Sequence, residues 1–249
     1  MANWVSEFAF DLRGNGYFIT GYNGSGGEVV IPSVHNGKPV IGIDSGAFFD
    51  RPGITSVTIS NTVKKIGTSA FNACYKLASV TIGDGVTDIG QYAFEKCSAL
   101  TKLTIGKSVK TIGKSAFAFC AELTSVTVPD SVITLDEGAF IYCDKLAAVR
   151  LGKSVQTIGK NAFHRCKALK SIVIPASVNC IGVGAFMGYG VSLQSMTFEK
   201  PLVWLVAGSP TATKFWKGLG HALEDPKQAA REVQLVNGSY CLLRRDPIT

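Results

Sequence analysis

Three Gly-Lys-Ser triplets are the part of the sequence most suggestive of chemistry, because the same triplet ends the loop that binds nucleotide phosphates. That loop also requires a glycine five residues before its Gly-Lys pair. The triplets lie at Gly106–Ser108, Gly113–Ser115 and Gly152–Ser154, and the required positions hold Thr101, Ser108 and Ala147 instead. We therefore expect these residues to form turns, and we expect no nucleotide or other cofactor.

Cysteine is the next candidate for chemistry, and five of the seven cysteines recur with a 23-residue period, at Cys74, Cys97, Cys120, Cys143 and Cys166. Side chains at one repeat position stack about 4.8 Å apart, the spacing of neighbouring strands, which permits a disulfide by distance. Stacked side chains point in parallel, however, and this makes the disulfide dihedral of about 90° awkward. The pattern favours a ladder of buried, reduced thiols, and it leaves Cys180 and Cys241 unassigned.

Histidine offers no evident catalytic partner for these thiols. His164 lies two residues from Cys166, which the repeat phase assigns to the core, whereas a Cys-His nucleophile needs an exposed sulfur. The metal-binding motifs Cys-x-x-Cys and His-Glu-x-x-His do not occur. We expect neither a metal site nor an enzyme, since Trp204, Trp216 and His221 in the C-terminal segment form no recognisable catalytic group.

A 23-residue repeat positions all of these side chains. The dipeptide Ala-Phe recurs with this spacing and ends at Phe48, Phe71, Phe94, Phe117, Phe140, Phe163 and Phe186. A fixed period of roughly 20 to 29 residues is typical of a leucine-rich solenoid, in which each unit buries its apolar face against its neighbours. The 27 glycines and the low charged fraction of 17% suit short strands and tight turns.

Each repeat contains one short strand, in which alternate residues such as Val80 and Ile82 point inward. A Pro or Gly follows, and then a second apolar pair such as Val109 and Ile112. The return path is short and rich in β-branched residues, so we expect turns, a brief strand and one helical turn around the Ala-Phe pair. The predicted fold is a right-handed, β-rich leucine-rich repeat solenoid of the α/β type, with about eight coils and a parallel concave sheet.

The two ends differ from the repeats. Residues 1–27 carry alternating apolar residues around Gly14-Asn15-Gly16 and predict a β-hairpin that covers the first coil. The array spans residues 28–198. Residues 199–249 lose the period and predict a C-terminal cap or extension, with a helix that begins at Asp225-Pro226 and ends at Asn237-Gly238. We expect one continuous structural domain.

The repeat resembles the BspA-like leucine-rich repeat, also called the Treponema pallidum type, as in Cys120-Ala-Glu-Leu123-Thr-Ser-Val126-Thr-Val128-Pro129-Asp-Ser-Val132-Ile-Thr-Leu135-Asp-Glu-Gly-Ala139-Phe140. The resemblance implies a curved solenoid that acts in adhesion and protein binding on bacterial or protozoan surfaces, without an active site. Residues 1–10 lack signal-peptide features, and no stretch reaches the roughly 20 apolar residues of a membrane span. The sequence as written predicts a cytoplasmic protein that does not insert into a membrane; a cell-surface or secreted location stays open if a leader was removed.

Positive charge is concentrated in one part of the array. Between Lys145 and Phe198 there are seven basic residues and no acidic one, and the other 18 basic residues balance 18 acidic ones. Such a run is often only a solvated surface, but on a solenoid it becomes a band of charge. Arg150 also stands out among the outward strand residues, most of which are Thr or Ser. The central outward row is Thr58, Thr81, Thr104, Thr127, Arg150, Val173 and Thr197. The row beside it is Ser56, Ser79, Lys102, Ser125, Ala148, Ser171 and Ser195.

We expect these outward rows to bind a partner, because solenoids use broad, rigid sheets for recognition and the outward residues vary without disturbing the core. The basic residues predict an acidic protein or an acidic glycan, bound at Lys102, Lys107, Arg150, Lys153 and Lys170. Nucleic acid is disfavoured, since these rows carry no aromatic ladder for stacking bases. The alternative is a purely structural spacer or scaffold with no specific ligand on the sheet.

Overall fold

A computed structural model describes residues 7–188, 193–199, 203–206 and 242–245. The N-terminal part contains β1 (Phe8–Arg13), β2 (Gly16–Tyr22), β3 (Gly27–Val30), β4 (Val34–His35) and β5 (Lys38–Ile43). A strand of three to six residues then alternates with a strand of two: β6 (Ile54–Ile59), β7 (Lys65–Ile66), β8 (Ser79–Ile82), β9 (Asp88–Ile89), β10 (Lys102–Thr104), β11 (Thr111–Ile112), β12 (Ser125–Thr127), β13 (Thr134–Leu135), β14 (Ala148–Arg150), β15 (Thr157–Ile158), β16 (Ser171–Ile174), β17 (Cys180–Ile181) and β18 (Ser195–Phe198). The last two strands are β19 (Val203–Val206) and β20 (Leu242–Arg245).

The chain winds into a β-solenoid of about eight turns with a repeat of about 23 residues. One face, which we call the continuous sheet, joins β1, β2, β5, the two-residue strands β7 to β17, then β20 and β19, with β4 beside β5. Its repeat strands pair in parallel, and paired residues are one repeat apart in sequence, so that Thr111 lies beside Thr134 and Ile112 beside Leu135. Each coil therefore advances the solenoid by one strand spacing, about 4.8 Å.

The longer strands form a second face, which we call the segmented sheet. These strands also run parallel, as expected, but they pair in three separate groups: β3-β6-β8-β10, β12-β14 and β16-β18. Pairing is thus interrupted between β10 and β12 and again between β14 and β16. Strand pairing is therefore unbroken on one face of the coils and interrupted on the other, although both faces have the same period.

The seven repeated Phe residues form one stack through the core, as their spacing predicts. Phe48 to Phe163 are at most 1% exposed and Phe186 is 3% exposed. Neighbouring rings have centroids 4.5 to 5.5 Å apart and planes within 15° of parallel. Aromatic pairs at such separations stabilise a core beyond the area that they bury.

The expected helical turn around the Ala-Phe pair was wrong, since no helix occurs here and the segment is a series of tight turns. Ser69 and Ala73, two residues before and after Phe71, have φ angles of 54° and 62°. A left-handed residue on each side prevents a helix from continuing. The Phe71 N–H instead donates to the Ala93 carbonyl of the next coil, at 2.7 Å, so these turns form their hydrogen bonds between coils.

The five repeated cysteines form the ladder of buried, reduced thiols that their spacing predicts. Each thiol donates to a Phe carbonyl of the preceding coil at 3.2 to 3.4 Å: Cys74 to Phe48, Cys97 to Phe71, Cys120 to Phe94, Cys143 to Phe117 and Cys166 to Phe140. Burial raises the pKa of all five thiols, to about 11 for Cys74 and about 12 for Cys143. These cysteines therefore stay protonated and act as small core side chains.

The predicted N-terminal hairpin is present and extends the Phe stack. Strands β1 and β2 pair antiparallel. The Tyr22 ring packs 5.2 Å from that of Phe48, and Phe8 contacts both rings at 5.5 and 6.2 Å. The Arg13 guanidinium donates to both carboxylate oxygens of Asp44 at 2.8 and 2.6 Å, which attaches the hairpin to the first coil.

At the other end, β20 pairs antiparallel with β17 and β19 pairs with β20. The predicted helix between Asp225-Pro226 and Asn237-Gly238 lies outside the described residues, as does Cys241. Cys180 is half-buried in β17.

Replacement of Phe117 by Ala should lower the free energy of unfolding by about 3 to 5 kcal/mol, because it removes a fully buried ring and leaves a cavity within the stack. Phe119→Ala is the matched control, since this ring is 39% exposed on the outside of the same turn. Denaturant unfolding measures both variants. A loss below about 1 kcal/mol for Phe117→Ala would mean that the ring does not support the core.

The buried thiols should be unreactive in the folded protein. Because their pKa values are raised and their sulfur atoms are enclosed, a thiol reagent should modify few groups under native conditions and at least five more in denaturant without reductant. Mass spectrometry of the denatured chain provides the control. A loss of two hydrogens per neighbouring pair of cysteines would contradict the thiol ladder and indicate disulfides.

Candidate functional site

The outward rows of the segmented sheet lie where the alternation of apolar residues places them. Register pairs Thr58 with Thr81 and Thr81 with Thr104, and likewise Thr127 with Arg150 and Val173 with Thr197; all seven are exposed. Val30 pairs with Thr58 and begins the same row, although sequence reasoning missed it. The signal for Val30 was weak, because β3 precedes the first Ala-Phe pair.

The five basic residues predicted to bind a partner all lie on or beside this face, and all are exposed. Lys102 and Arg150 belong to β10 and β14, Lys170 directly precedes β16, and Lys107 and Lys153 lie in the turns after β10 and β14. Other members of the basic run lie elsewhere: Lys145 and Lys167 precede the strands, and Lys160 and Arg165 lie in the turns around Phe163. The positive band therefore wraps around the coils, and only part of it faces the segmented sheet.

Acidic residues of the preceding coil neutralise part of this charge. Lys145 contacts Glu122 at 2.6 Å and Lys167 contacts Asp144 at 2.6 Å, and in each case the two residues are one repeat apart in sequence. Glu122 and Asp144 precede the stretch from Lys145 to Phe198 in sequence, but the stacking of the coils places them beside its lysines. The one-repeat spacing of each pair was the signal that could have revealed them.

Arg150 keeps most of its capacity to bind an anion. Its closest acidic oxygen, Oδ1 of Asp130, lies 3.9 Å away, beyond hydrogen-bond distance, and the Arg150 side chain is 60% exposed. The same Oδ1 atom accepts a hydrogen bond from the Lys153 N–H at 3.0 Å. Asp130 is therefore held by the backbone of the next coil, and the Arg150 guanidinium remains able to form a two-point contact with another oxyanion.

An open groove of about 650 Å³ lies over the ends of β10 and β12 and the turns that follow them. Its lining includes residues of both strands and three charged side chains: Leu103, Thr104, Ile105, Lys107, Ser125, Thr127, Pro129, Asp130, Ser131 and Arg150. Leu103 is only partly buried, whereas its equivalents Val57 and Val80 are 1% exposed. The groove brings Lys107 and Arg150 together but leaves Lys102, Lys153 and Lys170 outside its lining.

Backbone groups of both strands face this groove. The Lys102 N–H donates back to Ala78 in the pair between β10 and β8, so the N–H groups of Leu103 and Ile105 point to the other side. In β12, Val128 donates forward to Arg150, so the N–H groups of Ser125 and Thr127 point back to β10. Strands β10 and β12 do not pair, and among the described residues the Ser125 and Ile105 N–H groups have no backbone acceptor across the groove.

The Gly-Lys-Ser triplets have a structural explanation. A Cβ atom on Gly106 or Gly152 would lie 2.1 Å from a carbonyl oxygen of the preceding coil, that of Gly83 or Pro129. Glycine therefore allows neighbouring coils to approach at the corner that follows each long strand. Lys107 and Lys153 lie at this corner because they follow these glycines.

His164 and Cys166 do not form a nucleophilic pair. The Cys166 thiol is buried and donates to a backbone carbonyl, and burial raises its pKa. Burial also lowers the pKa of His164, and the positive charge of Arg165 adds to this effect. Within the described part of the chain, no group of three or more His, Cys, Asp or Glu side chains is arranged to hold a metal ion.

The repeat and its geometry agree with a known family. A model of the BspA type leucine rich repeat region matches in six copies, over residues 41–167 and 97–205, which is more than half of the chain. The chain belongs to the BspA-type leucine-rich repeat family. Proteins of this family are generally protein-interaction modules, typically without enzymatic activity.

Solved structures of BspA-type proteins share both sequence and fold with this chain. The leucine-rich repeat protein of T. pallidum is 34% identical, with a TM-score of 0.70, and the match covers 73% of this chain and 86% of that one. A leucine-rich cell surface protein from Faecalibacterium prausnitzii is 35% identical, with a TM-score of 0.71, over 83% of this chain. The present chain spans only 58% of that second protein.

No curated protein matches the sequence. In the described residues of this BspA-type chain, no helix has the length and apolar character needed to cross a bilayer.

Hydrogen exchange should distinguish the groove from the paired strands. The amides of Leu103, Ile105, Ser125 and Thr127 should exchange roughly tenfold or more faster than those of Val80 and Lys102, which bond within the β8-β10 pair. Nuclear magnetic resonance of the folded protein measures both sets in one sample. Equal protection of the two sets would show that the ladder continues across the groove.

Proposed function

We propose that this chain is a non-enzymatic binding module that holds an acidic protein on the segmented sheet. The observation that carries the proposal is the state of Arg150: it replaces a threonine in the central row, it is exposed, and no acidic group within hydrogen-bond distance occupies it. Arginine in this position can grip a partner carboxylate at two points, and Lys102, Lys107, Lys153 and Lys170 add attractive charge around it.

The surrounding rows suit recognition because they are rigid and regular. Each outward residue stands on a strand whose inward neighbours are fixed in the core, so little conformational entropy is lost when a partner docks. Ser and Thr at most of the other outward positions supply hydroxyl groups that both donate and accept hydrogen bonds. The segmented sheet thus offers a general polar surface with one specific basic centre.

Two alternatives lead to different outcomes. An acidic glycan would use the same basic residues, because sulfate and carboxylate groups also pair with arginine. A purely structural spacer would use none of them and would tolerate charge reversal at Arg150. A cell-surface location is part of the proposal, and it is supported by the description of the F. prausnitzii relative as a cell surface protein.

The double variant Arg150→Glu with Lys153→Glu should weaken binding of a partner isolated from the native host, while the unfolding midpoint stays nearly constant, because both side chains are exposed. Binding to the wild-type chain should also weaken with salt, since the screening length falls from about 10 Å at 0.1 M to about 3 Å at 1 M. Titration of the purified partner at low and high salt measures both effects.

The matched control is Lys110→Glu with Lys160→Glu, which changes the net charge equally at exposed residues away from the segmented sheet. It should keep most of the affinity. If the Arg150 and Lys153 reversal bound the partner as tightly as wild type at low salt, the segmented sheet would not be the binding face.

A further inference from the structure

We propose that the groove between β10 and β12 is the point at which the partner is gripped: an extended acidic peptide segment lies over it, and one carboxylate enters between Thr104 and Thr127. This inference rests on the proposed function and adds the site and the form of the ligand. It starts from the N–H groups of Ser125 and Ile105, which have no backbone acceptor across the groove, and from that of Thr127, which points the same way as that of Ser125. Unpaired backbone donors gathered in a concave site favour an oxyanion.

The charges around the groove strengthen this preference. Arg150 and Lys107 line it as cations, although Lys107 Nζ lies 3.7 Å from Asp84 Oδ2 of the preceding coil, and Asp130 is the one acidic residue of the lining. The Asp130 carboxylate is already engaged by the Lys153 N–H, which lowers the cost of bringing a second carboxylate near. The positive charge that is free to meet a partner is therefore centred on Arg150, beside the amide donors.

The core limits what can enter. The Phe94 and Phe117 rings lie 5.2 Å apart beneath this part of the array, and β9, β11 and β13 remain paired on the continuous sheet. Insertion of a whole strand would have to separate these coils by about one further strand spacing, roughly 4.8 Å, and would break the ring stack. A side-chain carboxylate is much smaller than a strand, so in this proposal only the carboxylate enters and the main chain of the partner stays above the sheet.

The spacing of the anchoring groups fits an extended peptide. Lys102 and Thr104 point outward two residues apart on β10, as Ser125 and Thr127 do on β12. Alternate side chains of an extended peptide repeat at the same distance, roughly 6.7 Å. A segment with acidic residues at alternate positions can therefore place one carboxylate at the Arg150 end of the groove and another near Lys102.

The test compares Ser125→Phe, which fills the groove without changing charge, with Ser79→Phe, which adds the same ring in the same outward row where the strands are paired. The probe is a capped synthetic peptide with glutamates alternating with serines. We expect Ser125→Phe to weaken its binding by roughly tenfold or more and Ser79→Phe to leave it nearly unchanged. Thermal unfolding of both variants checks that they fold.

A second measurement uses the unmodified chain, so it does not depend on the folding of a variant. On titration with the alternating peptide, the amide resonances of Ser125, Thr127 and Ile105 should shift downfield as they gain an acceptor, while that of Val80 should not. A peptide of the same composition with its glutamates in one block should bind more weakly. Absence of these shifts at saturation would overturn the proposal.

The remaining outcomes separate this inference from the proposed function. If Arg150→Glu with Lys153→Glu abolishes binding of the native partner but Ser125→Phe does not, the face is correct and the groove is not the site. If neither variant affects binding, both proposals fail. If heparin fragments bind in a manner sensitive to Ser125→Phe and the peptide does not, the occupant is a glycan and the peptide proposal is wrong.

Discussion

Neighbouring coils are held at one spacing by two interactions that must agree. Hydrogen bonds between parallel strands set a distance of about 4.8 Å, and the Phe rings in the core have centroids 4.5 to 5.5 Å apart. Phe117 stays in line with Phe94 while Thr111 stays paired with Thr134, so the ring stack and the strand register agree within each coil. The period of about 23 residues meets both requirements, and where paired residues are 24 apart, as Val173 and Thr197 are, the connection takes up the extra residue.

The same stacking organises the outer surface. A residue and its equivalent one repeat later become neighbours, which is why Glu122 meets Lys145 and why Asp130 accepts a hydrogen bond from the backbone of Lys153. Charges that are distant in sequence therefore compensate one another within one strand spacing. The basic character that survives this pairing is smaller than the count of basic residues indicates, and on the segmented sheet it centres on Arg150.

The continuous sheet and the segmented sheet have divided roles in this arrangement. The continuous sheet, together with the Phe stack and the thiol ladder, holds the coils in line. This support allows the segmented sheet to lose pairing between β10 and β12 without separating the coils. In a regular sheet the N–H groups at this position would donate to the neighbouring strand. Here they stay available to a ligand, and in our proposals they lie beside Arg150, which attracts the partner.

The sequence by itself determined the period, the Phe stack, the thiol ladder, the N-terminal hairpin and the outward direction of residues such as Thr127 and Arg150, because each follows from counting along one coil. It misplaced a helical turn around the Ala-Phe pair, since the left-handed residues Ser69 and Ala73 carry no distinctive side-chain signal. The one-repeat spacing allowed acids such as Glu122 to meet Lys145, but only the tertiary structure decided which of these pairs form and where strand pairing stops. Both depend on contacts between coils. Such a contact forms only when folding brings a residue beside its equivalent in the next coil.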